Sequence, residues 1–533
     1  MGSVLKCLVT IAICGFCLQN CLAQCPPRPA PNTVLNDAPS IYSQNGTLTA
    51  GLTLGYSVDV SGYTHYCYQY ITPTGVAEAP TLRVNPGDQL LLSITDAIPS
   101  TATESKSAMH NMAAPAATCG DGGSATLQST NVHFHGMSMP PTCHQDDVLN
   151  TLIQPGANNT FQYNTTIPAT QPPGLYWYHP HVHGFTEFQV NGGAAGALVV
   201  EGMEKYRPEV TGLVERVFVL RQEYLVPWVP GPYQLTINFE NAGVIEGPTP
   251  YIQMKPGEKQ FWRVANATLQ DFMPLQLWFN GVPQQLELIA LDGYPLTAPR
   301  FQNTILIPPA GRAEFIVQAP TAPINAVLEV LPYNTGPTGN ADVQSLIATI
   351  QLTTGSNAAK QPPQKQAKPV PPPEPASMSE PQLKFAGLKD VTPTAQRKLY
   401  FSEEFGGTNG PIQFYITVAG QPERVFNPNE KPVITTKVGA VEDWTIENHA
   451  LEAHDFHIHQ IHFMVLEVNG QPVANQDMRD TIEIPYWTGK GPYPSVKLRM
   501  DFRDPTIAGT FPFHCHILLH EDLGMMHKIL VEP

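Results

Sequence analysis

The chain is poor in charged residues, and poorest in basic ones. Only 14% of its 533 residues are Asp, Glu, Lys or Arg, and 45 acidic against 29 basic residues leave a net charge of −16. This balance argues against nucleic acid as a partner, because phosphate backbones attract positive patches. Beyond the N-terminus, no apolar run reaches the roughly 20 residues of a membrane-spanning helix. The sequence therefore predicts neither nucleic-acid binding nor a membrane span.

Histidine is absent from the middle of the chain, since none of the 17 lies between Gly184 and Asn448. Towards the two ends, five His-x-His pairs occur where random scattering predicts roughly half of one. The pairs are His133/His135, His179/His181, His181/His183, His457/His459 and His514/His516. Imidazoles in such clusters are typical metal ligands. The pattern predicts a metal site built between the first and last parts of the chain.

Cys515 lies between two of these histidines and is followed by His520 and Met525. A thiolate with imidazoles and a weak axial thioether is the ligand set of a blue-copper electron-transfer centre. Neighbouring side chains of a strand point to opposite faces. If Cys515 faces one copper, His514 and His516 face other metals. Electrons would then cross only a few covalent bonds between the two sites.

The remaining histidines fit a different interpretation. A lone histidine is more often a surface or core residue than a ligand. This applies to His65, His110, His144, His449, His462 and His527. His183 extends a pair, but we interpret it in the same way.

The nine cysteines indicate an oxidising compartment. Residues 1–23 are typical of a secretory signal, with Lys6 before an apolar run, and four cysteines would leave with it. Apart from Cys515, four remain, and an even number outside the cytoplasm predicts disulfides. They are Cys25, Cys67, Cys119 and Cys143. Three pairings are possible, and we favour Cys119–Cys143, which would bracket the strand of His133. A secreted or periplasmic location follows.

Runs of alternating apolar residues between Pro- and Gly-rich turns predict β-sandwiches. A turn followed by an alternating strand occurs three times, at Pro86-Gly87-Asp88, Pro256-Gly257-Glu258 and Val438-Gly439-Ala440. Three domains of one type explain this repeat most simply. We predict domains at 24–203, 204–356 and 391–533, with residues 357–390 as a Pro-rich, semi-rigid linker.

The four histidine motifs resemble those of the three-domain multicopper oxidases, a group that includes laccases, copper-efflux oxidases, bilirubin oxidases and ferroxidases. The sequence around His179 and Cys515 is more similar to that of the bacterial laccase-like members, including spore-coat laccases, than to that of fungal laccases. The resemblance covers essentially the whole mature chain in domain count. Asp455 stands where the family more often has Pro. The resemblance implies an all-β fold of three cupredoxin-like Greek-key β-sandwich domains.

The resemblance also implies four copper ions per chain and their ligands. The type 1 copper would take His454, Cys515 and His520, with Met525 axial. The type 2 copper would take His133 and His457. The two type 3 coppers would take His135, His179 and His516, and His181, His459 and His514. Members without an axial methionine have higher potentials, so Met525 predicts a low to moderate one.

Two carboxylates are candidates for proton delivery. By its position, Glu521 resembles the acid that family members use near the cluster, and Asp146 resembles the acid after the first motif. Carboxylates near a metal cluster can relay protons or fix a metal-bound water. Asp147, one position along, is the alternative to Asp146, and both acids could instead cap a turn or orient a histidine.

The predicted function is a laccase-like, copper-dependent oxidase of phenols or aromatic amines that reduces O2 to water. The alternative is a metal oxidase acting on Cu(I), Fe(II) or Mn(II). Scattered methionines count against a Cu(I) oxidase, and a ferroxidase needs carboxylates beside the type 1 histidines, for which Asp455 and Asp522 are candidates. A copper-free relative would have lost the ligands, and a nitrite reductase would not need every His-x-His pair. Three domains in one chain complete the site, so a monomer is expected.

Overall fold

The computed structural model describes residues 24–30, 32–59, 62, 64–73, 75–99, 118–156, 160–224, 233–243, 249–353, 383–406 and 412–533. Strands make up 51% of the chain and helices 5%, which confirms the predicted all-β class. The predicted signal segment, His110 and most of the predicted linker lie outside the described residues.

The first part of the chain forms two five-stranded sheets, in the orders β1-β5-β12-β11-β8 and β10-β6-β2-β3-β4, with β7 and β9 paired beside them. Its strands are β1 (Ser40–Tyr42), β2 (Thr47–Val58), β3 (Thr64–Thr72), β4 (Gly75–Glu78), β5 (Thr81–Val84), β6 (Gln89–Asp96), β7 (Cys119–Gly120), β8 (His133–His135), β9 (Thr151–Leu152), β10 (Thr160–Thr166), β11 (Gly174–His179) and β12 (Gly196–Val200). Helix α1 (Thr186–Asn191) and 3₁₀ turns at Met203–Lys205 and Pro208–Val210 accompany them.

The middle part forms a sheet in the order β15-β14-β13-β17-β23-β20-β21 and a second, β16-β25-β24-β18-β19, with β22 paired to β18. Its strands are β13 (Val214–Tyr224), β14 (Tyr233–Ile237), β15 (Glu240–Ala242), β16 (Tyr251–Met254), β17 (Lys259–Ala267), β18 (Met273–Phe279), β19 (Val282–Pro283), β20 (Leu286–Leu291), β21 (Tyr294–Gln302), β22 (Ile305–Ile307), β23 (Arg312–Gln318), β24 (Ala326–Val330) and β25 (Ser345–Leu352).

The last part forms a sheet in the order β27-β26-β29-β35-β31-β32, with β33 paired to β31, and a second, β28-β37-β36-β30-β34. Its strands are β26 (Ala395–Phe405), β27 (Ile412–Val418), β28 (Ile434–Lys437), β29 (Ala440–Asn448), β30 (His454–Ile458), β31 (Phe463–Val468), β32 (Gln471–Pro472), β33 (Met478–Arg479), β34 (Thr481–Ile484), β35 (Ser495–Phe502), β36 (Gly509–Cys515) and β37 (Met526–Glu532). Helix α2 (Leu518–Asp522) and 3₁₀ turns at Leu388–Asp390 and Pro505–Ile507 complete it.

The three repeated turns occupy equivalent places in the three sandwiches. They lead into β6, β17 and β29, and each of these strands runs parallel to the first long strand of its sandwich. Gly87, Gly257 and Gly439 all have positive φ, which explains why glycine recurs at the turn. The weak sequence repeat therefore reports a repeated topology.

Each sandwich has its own apolar core, and a further apolar cluster joins the first sandwich to the middle one. In β11, Tyr176 and Tyr178 face the first core, whereas Leu175 and Trp177 face the middle sandwich. This alternation is the period-2 geometry of a strand buried on both faces. It places His179 on the side of Leu175 and Trp177, away from the first core.

Residues 383–390, which the sequence assigned to the linker, pack against the third sandwich. Phe385 and Leu388 belong to its core, and Lys384 forms an ion pair with Asp504 (2.5 Å). Apolar side chains at these positions explain why the segment is folded here. The predicted domain boundaries themselves stay predictions.

Two disulfides, Cys25–Cys67 and Cys119–Cys143, cross-link the first sandwich. The second is the predicted pairing. The described residues contain no helix with the length and hydrophobicity needed to cross a membrane.

Candidate metal centre

Strands β30 and β36 place two groups of metal-binding side chains on opposite faces of one sheet. Phe456 lies opposite Cys515, and His457 opposite His514, in antiparallel register. Phe456 and Cys515 face the third core. His514 faces the first sandwich instead, with its Nε2 atom 3.3 Å from that of His181. The predicted alternation around Cys515 is therefore present.

Three donor atoms converge on the core side. Cys515 Sγ lies 3.6 Å from His454 Nδ1 and 3.8 Å from His520 Nδ1, and the two nitrogens are 3.3 Å apart. Burial raises the pKa of the Cys515 thiol, while the backbone N–H groups of Asp455 and Ile517 favour the thiolate. A buried thiol held this way binds a metal by releasing its proton.

Met525 lies beside this triangle because the chain turns tightly after α2. Its N–H donates to His520 O (2.8 Å), and its carbonyl accepts from the Cys515 N–H (3.1 Å). The side chain is fully buried in the third core. These bonds tie Met525 to two of the three donors, and its axial role stays a prediction.

Eight further histidines meet where the first and third sandwiches touch. All are at most 2% exposed, and their ligand atoms form three triads, each within 4.8 Å, of which two share His135. The triads are His133/His135/His457, His135/His179/His516 and His181/His459/His514. Rings of the two sandwiches stack on each other, His133 on His459 (3.8 Å) and His135 on His457 (4.0 Å). Two triads have the same members as the predicted type 3 sets, and the first contains the predicted type 2 pair together with His135. The assignment of each set to a copper type stays a prediction.

The free nitrogens of these rings fit metal ligation. His179 Nδ1–H donates to Pro180 O (2.8 Å), His457 Nδ1–H to Asp480 O (2.8 Å) and His514 Nδ1–H to Cys515 O (2.9 Å). Each ring then offers its Nε2 lone pair. His133, His179 and His457 leave that Nε2 atom buried without a hydrogen-bond partner. A bound metal would give these buried Nε2 atoms the partner that they lack.

The electrostatics favour neutral imidazoles. Burial lowers the pKa of His179 to about 3 and that of His514 to about 4, and it lowers the pKa of His181 and His459 well below the usual value. Neighbouring histidines add to the effect for His181 and His459. Neutral imidazole is the form that binds metal.

Asp146 contacts the cluster directly. It accepts from His133 Nδ1–H (3.0 Å), from the Phe134 N–H (3.0 Å) and from Gln460 Nε2 (2.5 Å). Asp147 instead accepts from Asn150 (2.8 Å). The structure thus places Asp146, and not its neighbour, beside a predicted ligand. Burial raises the Asp146 pKa, and its proton-delivery role stays a prediction.

Glu521 lies between two histidines of the cluster. Its carboxylate oxygens are 3.6 Å from His181 Nε2 and 3.6 Å from His514 Nδ1, and Thr186 Oγ1 donates to it (3.3 Å). Burial and the neighbouring Asp522 charge raise the Glu521 pKa. A raised pKa favours the protonated form of a buried acid, and the proton-delivery role of Glu521 stays a prediction.

The carboxylates beside the histidines predicted for type 1 copper are not the two suggested by sequence. Glu403 Oε1 lies 3.2 Å from His454 Nε2, and Glu452 Oε2 lies 3.7 Å from His520 Nε2. Asp522 accepts from the N–H groups of residues 186 and 187, at the start of α1. Asp455 lies on the cluster side of β30, and neither of its oxygens has a hydrogen-bond partner.

Sequence reasoning missed Asp480, which contacts the cluster, and two residues that hold the acids beside it, Gln460 and Arg312. Gln460 binds Asp146, and Asp480 contacts both His135 and His457 while pairing with Arg312. Burial raises the Asp480 pKa, but the Arg312 charge and hydrogen bonds lower it further, so the net pKa is well below normal. No spacing pattern marks single polar residues this far apart in sequence.

The lone histidines within the described residues belong to none of the metal-competent groups. His144 stacks on Phe161 (4.8 Å), and His462 donates to Asp292 O (2.7 Å). His183 packs edge-on against Phe426 (4.8 Å), and burial lowers its pKa to about 4. These placements agree with the interpretation that they are not ligands.

Known proteins share these features. The multicopper oxidase family is matched over residues 123–205, 211–342 and 405–533. A multicopper oxidase of Staphylococcus aureus is 25% identical over 417 residues, covering 76% of this chain and 77% of that protein. A laccase of Bacillus subtilis is 23% identical over 397 residues, covering 68% and 71%. A Campylobacter jejuni multicopper oxidase, described as a metallo-oxidase, superposes with a TM-score of 0.67 at 21% identity, covering 96% of this chain and 98% of that one.

The matched regions lie in all three sandwiches and together span more than half of the chain. The chain belongs to the multicopper oxidases. It is a copper-dependent oxidoreductase that uses O2 as electron acceptor and carries four copper ions. Its fold is the predicted set of cupredoxin-like sandwiches.

Proposed function

We propose that the chain is a laccase-like oxidase that takes single electrons from phenols or aromatic amines at the Cys515 site. The electrons pass to the eight-histidine cluster, where O2 becomes water. Bound copper supplies the one-electron chemistry at Cys515 and the four-electron chemistry at the cluster. We assign the ligands to type 1, type 2 and type 3 copper as the sequence predicted. The converging donor atoms in the two groups support this assignment.

The route between the two sites is short. His514 and His516 flank Cys515 in the chain, and His514 Nδ1–H also donates to the Cys515 carbonyl (2.9 Å). A hydrogen bond therefore supplements the covalent path to one triad. The Cys515 side chain is fully buried, so donors must approach through the histidines around it.

The observation that carries the phenol proposal is the carboxyl pair beside His454 and His520. Burial and the Glu403 charge raise the Glu452 pKa to about 9, so Glu452 holds a proton at neutral pH. A phenol loses a proton as it loses an electron, and Glu403, with Oε1 3.2 Å from His454 Nε2, is placed to accept that proton. Phe414, stacked on His520 at 4.0 Å, gives this edge an apolar, aromatic wall.

The same carboxyl pair supports a second candidate, a metal oxidase. Asp342 adds a third acid that raises the Glu452 pKa, and clustered carboxylates attract divalent cations. The relative from Campylobacter is described as a metallo-oxidase. Fe(II) or Mn(II) would then give up its electron at the same edge.

O2 uptake by the copper-loaded protein separates the candidates. The donors are a methoxyphenol, Fe(II), and ferrocyanide, which releases no proton. For Glu403→Gln we expect the phenol rate relative to the ferrocyanide rate to fall about tenfold or more, because the proton acceptor is lost. Glu404→Gln, on the same strand but exposed, is the matched control. Fast uptake with Fe(II) and slow uptake with the phenol would move the assignment to a metal oxidase.

We also infer that the protein works in an oxidising compartment, in agreement with the predicted signal. The two disulfides support this, since cytosolic thiols stay reduced. Mass spectrometry of the native protein, with and without reductant, tests it, and free thiols at Cys119 and Cys143 would contradict it. The same measurement under native conditions tests the predicted monomer.

A further inference from the structure

The middle sandwich contributes no histidine, yet it reaches the cluster through Arg312. This side chain, at the start of β23, is fully buried. It donates from Nη1 to Asp480 Oδ1 (2.7 Å) and from Nη2 to Asp480 Oδ2 (2.5 Å). A bidentate ion pair of this kind fixes both the position and the orientation of the carboxylate. Asp480 itself belongs to the third sandwich, between β33 and β34.

Asp480 touches one predicted ligand of the first sandwich and one of its own, the third. Its Oδ1 atom lies 3.3 Å from His135 Nε2 in the first sandwich. Its backbone carbonyl accepts from His457 Nδ1–H (2.8 Å) in the third. The His135 and His457 rings stack on each other at 4.0 Å. One residue thus orients both rings of a stacked pair, and Arg312 orients that residue.

The contact with Asp480 determines which His135 nitrogen is free. An ionised carboxylate can only accept, so His135 Nε2 carries the hydrogen and Nδ1 carries the lone pair. His135 Nδ1 is buried and has no hydrogen-bond partner. His457 has the opposite arrangement, because its Nδ1–H is donated and its Nε2 is free. The two stacked rings therefore present different nitrogens as free lone pairs.

Gly136 gives an independent sign that the chain accommodates this pair. A Cβ atom at Gly136 would lie 2.5 Å from Arg312 Nη2, 2.5 Å from Asp480 Oδ2 and 3.0 Å from Tyr176. The residue also has φ +81°, which side chains rarely adopt. Glycine directly after His135 therefore lets Arg312 and Asp480 approach the cluster.

We propose that Asp480, clamped by Arg312, is a positioning residue that fixes His135 for metal binding through Nδ1 and joins all three sandwiches at the copper cluster. The proposal rests on the ligand assignment proposed above. It gives the middle sandwich a defined role in assembling the site.

Asp480→Asn tests the clamp with a nearly isosteric side chain. The amide keeps one acceptor oxygen for Arg312 Nη2, so its NH2 group replaces the Oδ1 atom that accepts from both Arg312 Nη1 and His135 Nε2–H. An NH2 group cannot accept, so the bidentate pair is broken and the free nitrogen of His135 is no longer fixed. We expect copper to fall below four ions per chain, and the cluster to bind copper or turn over O2 about 10- to 100-fold less well. The thiolate-to-copper absorption of the Cys515 site should remain. Four retained coppers with unchanged uptake would overturn the proposal.

Glu314→Gln is the matched control. Glu314 is equally buried, pairs with Arg263 and accepts from the Leu175 N–H of the first sandwich (2.8 Å). It therefore links two sandwiches without touching a histidine of the cluster. It should lower the melting temperature but keep four coppers. If Glu314→Gln loses the same copper, then breaking any buried link between sandwiches releases copper, and the specific role of Asp480 is overturned.

Two further variants keep the test decisive. If Asp480→Asn does not fold, Arg312→Lys can be used, because it preserves the charge but cannot form the bidentate pair. This variant should lose part of the cluster copper and keep the thiolate-to-copper absorption of the Cys515 site. Full copper in that variant would count against the clamp. His135→Ala separates the clamp from the ligand assignment. If His135→Ala keeps all four coppers, the ligand assignment itself fails.

Discussion

The two copper-binding regions of this protein are built in different ways. The donors around Cys515 all come from the third sandwich, two from paired strands and one from the short helix that follows. The eight-histidine cluster draws on the first and third sandwiches, and Arg312 reaches it from the middle one. The first site can form when one domain folds, whereas the second forms only when domains dock. Changes at the domain interfaces should therefore affect the cluster selectively.

The two regions also differ in charge. Burial keeps the cluster histidines neutral, with a pKa of about 4 for His514. Beside the Cys515 site, burial and Glu403 keep Glu452 protonated, with a pKa of about 9. The first region resists gaining protons and the second resists losing them. Acid should therefore weaken the cluster, and alkali the carboxyl pair.

The largest expected effect comes from removing the one thiolate. Cys515→Ser should reduce O2 uptake to background with every donor, because electrons then have no path to the cluster. The cluster should keep its metal, leaving about three of the four coppers. Metal analysis and O2 uptake check this. Uptake near the wild-type rate would show that electrons bypass Cys515.

In the metal-free protein, the buried histidines should each lower the free energy of unfolding on acidification, by about 1.4 kcal/mol per unit of pKa shift, whereas buried acids with a raised pKa, such as Glu452, act in the opposite direction. The folded-state pKa values of His179 (about 3), His183 (about 4) and His514 (about 4) lie below the ordinary value of 6.5. A depressed pKa stabilises the fold above pH 6.5, and this is lost as pH falls towards 4. Denaturant unfolding at pH 7 and pH 5 of the chain and of His183→Gln isolates one histidine: from pH 7 to pH 5 the free energy of unfolding should fall by about 2 kcal/mol more in the chain than in the variant. An equal change in both proteins would contradict this prediction.

The next largest effect is expected from removing the Cys119–Cys143 disulfide, which lies nearest the cluster in sequence. Replacing Cys119 and Cys143 by Ser opens a loop of 24 residues and should cost about 3 kcal/mol. Because the loop carries His133 and His135, cluster copper should fall as well. Replacing Cys25 and Cys67 is the control: it should lower stability while copper stays bound. Equal copper loss in both variants would remove the distinction.

The smallest effect is expected at Met525. Met525→Leu conserves volume and should cost less than about 1.5 kcal/mol. If the thioether is an axial ligand, its loss should raise the potential of the Cys515 site and leave the cluster unchanged. A redox titration followed at the thiolate-to-copper band measures the shift. An unchanged potential would mean that Met525 does not coordinate.

Much of the fold was readable because its signals are periodic or local. Alternating residues predicted the strands, and the turns before β6, β17 and β29 predicted three equivalent sandwiches. The Cys119–Cys143 disulfide followed from its position around His133. The folding of Phe385 onto the third core was missed, because a short apolar segment beside a Pro-rich run carries no period.

The site was predictable in part for the same reason. His-x-His pairs stand out by count, and the alternation around Cys515 follows from strand geometry. Partners such as Asp480 and His135, 345 residues apart, leave no such trace. Glu403 was missed in the same way, since its strand looks like any other and only the fold brings it to His454.

The sequence by itself determined the ligand types, their grouping and the faces on which they lie, because these follow from residue chemistry and the two-residue period of a strand. The tertiary structure decided which nitrogen of each ring is free and which acids stand beside it. Those choices depend on hydrogen bonds between distant segments, which exist only once the three sandwiches have docked.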